Sequence, residues 1–364
     1  MGFRCGIIGL PNVGKSTIFN ALTAAGAQVA NYPFCTIDPN VGIVRVPDER
    51  LDRIASIINP PKKTYTSMEF FDIAGLVKGA SKGEGLGNKF LGHIRDVEAL
   101  VHVVRCFENP DVVHVSADID PVSDIEIVNT ELLLADIETI ERRIEKLQRQ
   151  ARAGDKSATR EIEICRRVKS SVNRGIPARN LSLDQEGMDL IRVMGLLTFK
   201  KVVYAANVSE KELRGNGACL KRVEDYAAAE GSKCIAICGD LESEIAELPE
   251  EERKAFLEDM GLEESGLEKL VKAGYEILDL ITFYTTAGPE LRAWTIKKGT
   301  RAPAAAGKIH SDMERGFIRA EVLHYEDFMK SGDLQRAREK GLIRSEGKDY
   351  IIQDGDIVLF RFNV

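Results

Sequence analysis

Short runs of β-branched and aromatic residues alternate with helix-period segments through the first hundred residues, and this order predicts a mostly parallel sheet covered by helices. Residues 4–8, 41–46, 67–71, 100–104, 202–206 and 233–237 read as the strands. Several are apolar throughout, as strands buried on both faces are. Between the fourth and fifth of them the period changes. Leu133, Ile137, Ile140, Ile144 and Leu147 recur at 4-3-4-3, and beyond Ala153-Gly154-Asp155 the positions Ala158, Ile162, Cys165, Val168 and Val172 recur at 4-3-3-4. Two such stripes joined by a turn predict an antiparallel helical hairpin, with a narrow apolar seam and charged outer faces, projecting as an arm.

After the strands resume, 242–274 is an acidic helical stretch. A new module starts near Ile281 with Thr282-Phe283-Tyr284-Thr285 and Ala293-Trp294-Thr295-Ile296, followed by an alanine-rich segment at 302–310 and strands at 317–322 and 356–362. Strands, one helix and more strands describe a small α+β module. The expected division is therefore a main α/β domain over 1–125 and 195–280, an inserted helical arm over 126–194, and a C-terminal module over 281–364.

Composition narrows the class without changing this picture. With 44% hydrophobic and 29% charged residues the chain reads as globular. Its longest apolar runs, 100–104 and 202–206, fall far short of the roughly 20 residues of a membrane helix. The N-terminus carries one basic residue and a short apolar stretch that stops at a glycine loop, unlike a signal peptide, so a cytoplasmic protein with no membrane partner is expected. Seven cysteines, odd in number and without a Cys-x-x-Cys pair, suggest buried thiols and neither a zinc site nor a disulfide framework. A net charge of −7 argues against a protein that coats nucleic acid, and no DNA partner is expected. One segment departs from the balance: 141–174 holds eleven Lys/Arg against five Asp/Glu.

The chemistry sits in three places. Gly9-Leu10-Pro11-Asn12-Val13-Gly14-Lys15-Ser16-Thr17 fits G-x-x-x-x-G-K-[ST] between a buried strand and a helix, the context that a P-loop requires. Backbone N–H groups from Asn12 to Thr17 would wrap phosphate oxygens, Lys15 would neutralise the β and γ phosphates, and the Ser16 hydroxyl would take a Mg²⁺ position. The strand 67–71 runs into Asp72-Ile73-Ala74-Gly75, where Asp72 can hold Mg²⁺ through water and Gly75 can donate its N–H to the γ-phosphate. The following loop is glycine-rich, with Gly79, Gly83, Gly85 and Gly87, as a nucleotide-sensing segment would be. Thr36 in Asn31-Tyr32-Pro33-Phe34-Cys35-Thr36 is the candidate switch threonine and second metal ligand.

The third place decides the base. GTPases read guanine with Asn-Lys-x-Asp after this strand, the aspartate accepting from guanine N1–H and the exocyclic amine. Here the tetrapeptide is Asn207-Val208-Ser209-Glu210. The lysine is lost and the carboxylate stands one methylene farther out, which breaks the two-bond clamp and predicts ATP over GTP.

Together these segments resemble the YchF/Obg-like ATPase family of the translation-factor P-loop NTPases, and the resemblance spans the whole chain. It implies a nucleotide domain, an inserted coiled-coil arm and a C-terminal TGS module of the β-grasp type. It also implies an ATPase that associates with ribosomes, linked to translation control and stress responses, with large-subunit RNA met by the arm and the TGS module. In that family a hydrophobic residue, here Leu76, replaces the water-orienting glutamine of Ras-like enzymes, which implies slow intrinsic hydrolysis. His114, after the fourth strand, is then the candidate water-positioner. Asn12 resembles the residue that in related enzymes helps hold K⁺. On the arm, Arg142, Arg143, Lys146, Arg149, Arg152, Arg166, Arg167 and Lys169 are the candidates for RNA phosphate contact. Two rival readings stand beside the ATPase: an Obg-like GTPase of ribosome assembly, and a nucleotide-gated binding module whose hydrolysis is incidental.

Overall fold

The computed structural model describes residues 3–27, 40–73, 86–108, 119–213, 217–286 and 288–363. In chain order its elements are β1 (Phe3–Ile8), α1 (Lys15–Ala27), β2 (Val41–Arg45), α2 (Glu49–Ile58), β3 (Lys62–Thr64), β4 (Ser67–Asp72), α3 (Leu86–Arg95) and β5 (Ala99–Cys106). The arm follows as α4 (Pro121–Arg152), α5 (Lys156–Val172) and α6 (Gln185–Met194), then β6 (Lys201–Val208), α7 (Ala218–Ala229), β7 (Lys233–Ile237), α8 (Gly239–Glu247), α9 (Glu250–Asp259) and α10 (Gly266–Ile277). The chain closes with β8 (Leu280–Thr285), β9 (Glu290–Lys297), α11 (Ala302–Ile309), α12 (Ser311–Arg315), β10 (Phe317–Leu323), α13 (Tyr325–Ser331), α14 (Leu334–Glu339), β11 (Arg344–Glu346) and β12 (Ile357–Phe362).

These elements make two compact units, one of residues 3–44 and 69–274 and one of 45–68 and 275–363. The first is built on a sheet ordered β2-β4-β1-β5-β6-β7, in which β1, β5, β6 and β7 run parallel to one another. Every residue of β5 is buried, as is all of β6 after Lys201, which accounts for their unbroken apolar runs. Helix α1 packs against α8.

Helix α4 is 32 residues long, about 48 Å at the usual rise. Asp120 starts it, its carboxylate accepting from the N–H groups of Val122 and Ser123 with Pro121 in the first turn. Its first half buries Ile125, Val128 and Leu132. The second half pairs with α5, after a turn in which Gly154 takes φ 91° and Asp155 caps the next helix. The seam expected from the sequence is present, Leu133, Ile140, Cys165, Val168 and Val172 sharing a cluster with Ile191 of α6. Leu147, Ala158 and Ile162 close it toward the tip. The root is fixed by one buried carboxylate: Asp136 accepts from Leu197 N (2.6 Å), Thr198 N (2.9 Å) and the Thr198 hydroxyl (2.6 Å).

The second unit holds a sheet ordered β11-β10-β12-β8-β9-β3. Its centre is β12 parallel to β8, with α11 laid on one face through Ala302, Ala305 and Ala306. Residues 45–68, expected in the main domain, cluster with this unit instead. Three contacts account for it: β3 pairs parallel with β9, Leu51 and Ile54 of α2 pack with Tyr284, Leu291 and Phe328, and Arg50 forms an ion pair with Asp354 at 2.8 Å. The sequence hides this because Lys62-Lys63-Thr64 has no apolar alternation and its partner strand is more than 200 positions away.

No described helix is long and apolar enough to cross a membrane. The expectation of unpaired thiols fails at one place, since Cys106 at the end of β5 and Cys219 in the first turn of α7 form a disulfide across 113 positions. Spacing rules read only local pairs, and here the parallel crossover brings distant residues together.

Replacing Asp136 by alanine leaves two buried N–H groups and a hydroxyl without an acceptor. The expected cost is about 3 kcal/mol, seen as a lower urea midpoint with an unchanged slope.

Candidate functional site

Strand β1 ends on buried Ile8 and the chain turns at once into 9–14. Two glycines make the turn possible. Gly9 holds φ 150° and a Cβ there would stand 2.5 Å from the Val103 carbonyl oxygen of β5, while Gly14 holds φ 92° and a Cβ there would meet the Asn207 amide nitrogen. Asn12, exposed, takes the left-handed region at φ 62° without being glycine. The helix then starts, Ile18 N bonding to Gly14 O at 3.0 Å, so the N–H groups of the first turn have no helical acceptor.

Lys15 is only 7% exposed and its ammonium donates to the Leu10 carbonyl at 2.6 Å. Burial pulls its pKa down to about 8, with Asp72 opposing the fall. Asp72, the last residue of β4, lies near the exposed Ser16 hydroxyl. Burial pushes this carboxyl above the usual range against the pull of Lys15 and Ser16. Its Oδ1 is buried and has no hydrogen-bond partner among the described residues. An orphan carboxylate oxygen beside a hydroxyl and a cation, at the N-terminus of a helix, suits a hydrated divalent ion brought in with a polyphosphate. Among the described residues no cluster of three or more His, Cys, Asp or Glu could hold a metal alone.

Asn207, the buried next-to-last residue of β6, joins three segments. Its Nδ2 donates to Val13 O at 3.0 Å, its Oδ1 accepts from Gly239 N at 3.0 Å, and it sits against Gly14. On this geometry Asn207, expected to bind nucleotide, braces the P-loop. Val13 and Val208 are buried, at 1% and 2% exposure, and contribute backbone and packing. Thr17 is half-buried, its methyl 3.4 Å from where a Cβ on Gly239 would stand. Glu210 is exposed at the start of a short 3-10 turn and lines a cavity of about 320 Å³ with Lys211, Leu213, Met260 and Leu262. His102 on β5 is buried, and desolvation with the nearby Arg179 and Lys15 charges lowers its pKa to about 3, which leaves it neutral. Thr36, Gly75, Leu76 and His114 lie outside the described residues.

The structure brings Lys15, Ser16 and Asp72 together, and packs on the same loop Gly239 and the carbonyls of Leu10 and Val103, which the sequence did not single out. Gly239 had a visible signal, a glycine directly after the strand 233–237 and its flanking cysteine. The carbonyls had none, being backbone atoms.

Known proteins match this chain throughout. A family model described as "50S ribosome-binding GTPase" matches residues 4–153, and a YchF-GTPase C-terminal model, described as a protein of unknown function, matches 280–363. The chain is 53% identical to the Bacillus subtilis (strain 168) protein called "Ribosome-binding ATPase YchF", with 100% of each chain covered. It is 52% identical over the same share to the protein of that name from Escherichia coli O157:H7. Among solved structures it is similar to the YchF GTPase of Schizosaccharomyces pombe, at TM-score 0.90 and 36% identity, covering 99% of this chain and 98% of that one.

A triphosphate needs Lys15 charged, and the resting lysine gives up its proton as pH rises through about 8. Affinity for a nucleoside triphosphate is expected to fall above that pH, approaching roughly tenfold per unit. Calorimetry in buffers of different ionisation enthalpy checks this through proton uptake on binding, and Lys15→Arg should remove the uptake. The sign for folding is separate. A base with a lowered folded pKa opposes folding while its unfolded form is charged, so this penalty lessens as pH rises from about 8 to 10.5.

Proposed function

The chain belongs to the YchF family, and from that premise we propose that it is a ribosome-associated P-loop ATPase switch that binds ATP in preference to GTP and hydrolyses it slowly. The observation that carries the reading is the cradle itself: a glycine-bounded loop at a helix N-terminus, a buried lysine held on a loop carbonyl, and an orphan carboxylate oxygen beside the Ser16 hydroxyl. On nucleotide entry Lys15 leaves the Leu10 carbonyl for phosphate oxygens, and backbone N–H groups of 12–17 replace water around them. Ser16 and, through water, Asp72 would hold Mg²⁺, which would neutralise charge on the β and γ phosphates.

Base choice falls to the β6 terminus. Val208 offers no ammonium and the Glu210 carboxylate sits one methylene beyond the guanine-reading position, while the apolar Leu213, Met260 and Leu262 share its cavity. Leu76 cannot orient water by a hydrogen bond, which suits slow hydrolysis; Thr36 would add a metal ligand, the Gly75 N–H would serve the γ-phosphate and His114 would position the attacking water, as their places in the sequence suggest. Asn12 helps hold K⁺ in place of an arginine finger. A cytoplasmic location follows from the ribosomal partner.

The arm supports the RNA contact more narrowly than the sequence did. Arg142, Arg143 and Lys169 form ion pairs with Glu138, Glu161 and Glu141, and Arg167 donates to the Ser182 carbonyl. Lys146, Arg149, Arg152 and Lys156 are exposed near the tip and form no ion pair among the described residues. Cations without internal partners are those free to displace counterions from RNA phosphates.

Titration calorimetry with Mg²⁺ and ATP or GTP tests base choice. ATP should bind at least roughly tenfold tighter, and Val208→Lys with Glu210→Asp should recover GTP; a wild-type preference for GTP would favour the Obg-like GTPase reading. Turnover equal in Na⁺ and K⁺ buffers would remove the K⁺ role. Sedimentation with ribosomes tests the arm: reversing Lys146, Arg149, Arg152 and Lys156 to glutamate should weaken binding by roughly tenfold or more, and reversing Arg142 and Arg143 should weaken it much less.

A further inference from the structure

The sheet of the first unit ends on β7, and the open edge of that strand borders a cavity of about 140 Å³. Three consecutive residues, Cys234, Ile235 and Ala236, line it. Consecutive side chains of a strand point to opposite faces, so the three share one cavity along the strand's edge. Leu213 and Leu262 form an apolar wall in common with the larger cavity at Glu210. Helices α8 and α10 supply Glu242 and Lys269.

Glu242 is 2% exposed. Its Oε1 accepts from Gly266 N at 2.6 Å, a contact that needs glycine, because a Cβ there would stand 2.9 Å from that oxygen and 3.1 Å from Ile237 Cγ1. Its Oε2 is buried and has no hydrogen-bond partner among the described residues. Burial pushes the carboxyl up to about 7, while the Gly266 and Leu267 N–H groups and the Ser265 hydroxyl pull it back and Glu268 adds to the rise. A buried polar atom left in this way calls for a donor from outside the chain. The other lining groups differ. Glu264 is engaged by Lys272, and burial pushes the Cys234 thiol up to about 12, which keeps it neutral. Lys269, half-buried, forms no ion pair among the described residues. The cavity thus presents one carboxyl and one ammonium, not paired with each other, beside an apolar wall.

We propose that this cavity is a binding site for a small zwitterion of the α-amino-acid class, its ammonium donating to Glu242 Oε2, its carboxylate on Lys269 Nζ and its carbon stem against Leu213 and Leu262. Size agrees with this. An engineered protein cavity of about 150 Å³ holds benzene, a molecule of about six heavy atoms, which is the size of alanine. Water satisfies a polar atom but gains nothing from the leucines, whereas a ligand with both charges and a short apolar stem uses all three features. Charge-assisted bonds at the two ends also select against molecules that carry only one of the charges. Neither Glu242 nor Lys269 belongs to the phosphate loop, so the site stands apart from the nucleotide reading.

Equilibrium dialysis of the full chain against labelled glycine, alanine and serine tests the site. Alaninamide, which lacks the carboxylate, and N-acetylalanine, which lacks the ammonium, serve as competitors. Alanine is expected to bind roughly tenfold tighter or more than either analogue. Glu242→Gln and Lys269→Ala should each weaken alanine by a similar factor while keeping the circular dichroism of the parent chain. Lys269 is half-buried and has no ion pair to lose, so its variant decides the matter should Glu242→Gln fail to fold. No retention of glycine, alanine or serine at about 10 mM overturns the proposal and leaves water as the occupant. Alanine bound no tighter than its analogues, or bound equally well by Lys269→Ala, overturns it as well.

Discussion

The nucleotide site depends on one amide. Asn207 donates to the Val13 carbonyl, accepts from Gly239 N and lies against Gly14, so a single buried side chain ties the P-loop, the end of β6 and the start of α8. Loops at strand ends have few contacts of their own, and their precision comes from what stands behind them. A side chain of the same shape without both a donor and an acceptor would leave a buried carbonyl or N–H unpaired. The brace also explains why Gly14 must be glycine on steric as well as conformational grounds.

Charge in the crevice is set by desolvation more than by pairing. Lys15 and Asp72 attract each other, yet burial pulls the lysine down and pushes the carboxyl up, against that attraction. Both groups are thus held away from their ordinary ionisation, in a form that an arriving polyphosphate and its cation would relieve. The resting bond from Lys15 to the Leu10 carbonyl keeps the ammonium satisfied in the meantime.

Much of this was legible in the sequence where a period or a motif carried it. The apolar strands, the two helical stripes and the P-loop all came through because each is a local pattern with a physical cause. Residues 45–68 did not, since β3 is too short and too polar to show a strand period and joins a sheet whose other strands lie after residue 279. The Cys106–Cys219 pair was invisible for a related reason, as nothing local in either cysteine indicates the other. Asn207 was found by its motif, but its bonds to Val13 and Gly239 were not, because a motif gives a position and only packing gives its partners. Of the arm cations, the sequence could count them but could not tell Arg143, engaged by Glu161, from Arg149, which forms no ion pair among the described residues.

Helix α4 begins as the ordinary crossover that covers the sheet between β5 and β6, and only its far half, beyond Asp136, leaves the core. The length of the arm is therefore uncoupled from the sheet. Whole heptads could be removed symmetrically from α4 and α5, or added to them, with the strands and the phosphate loop left in register. The reach of the tip is a dimension that lineages or engineers can dial without renegotiating the catalytic core.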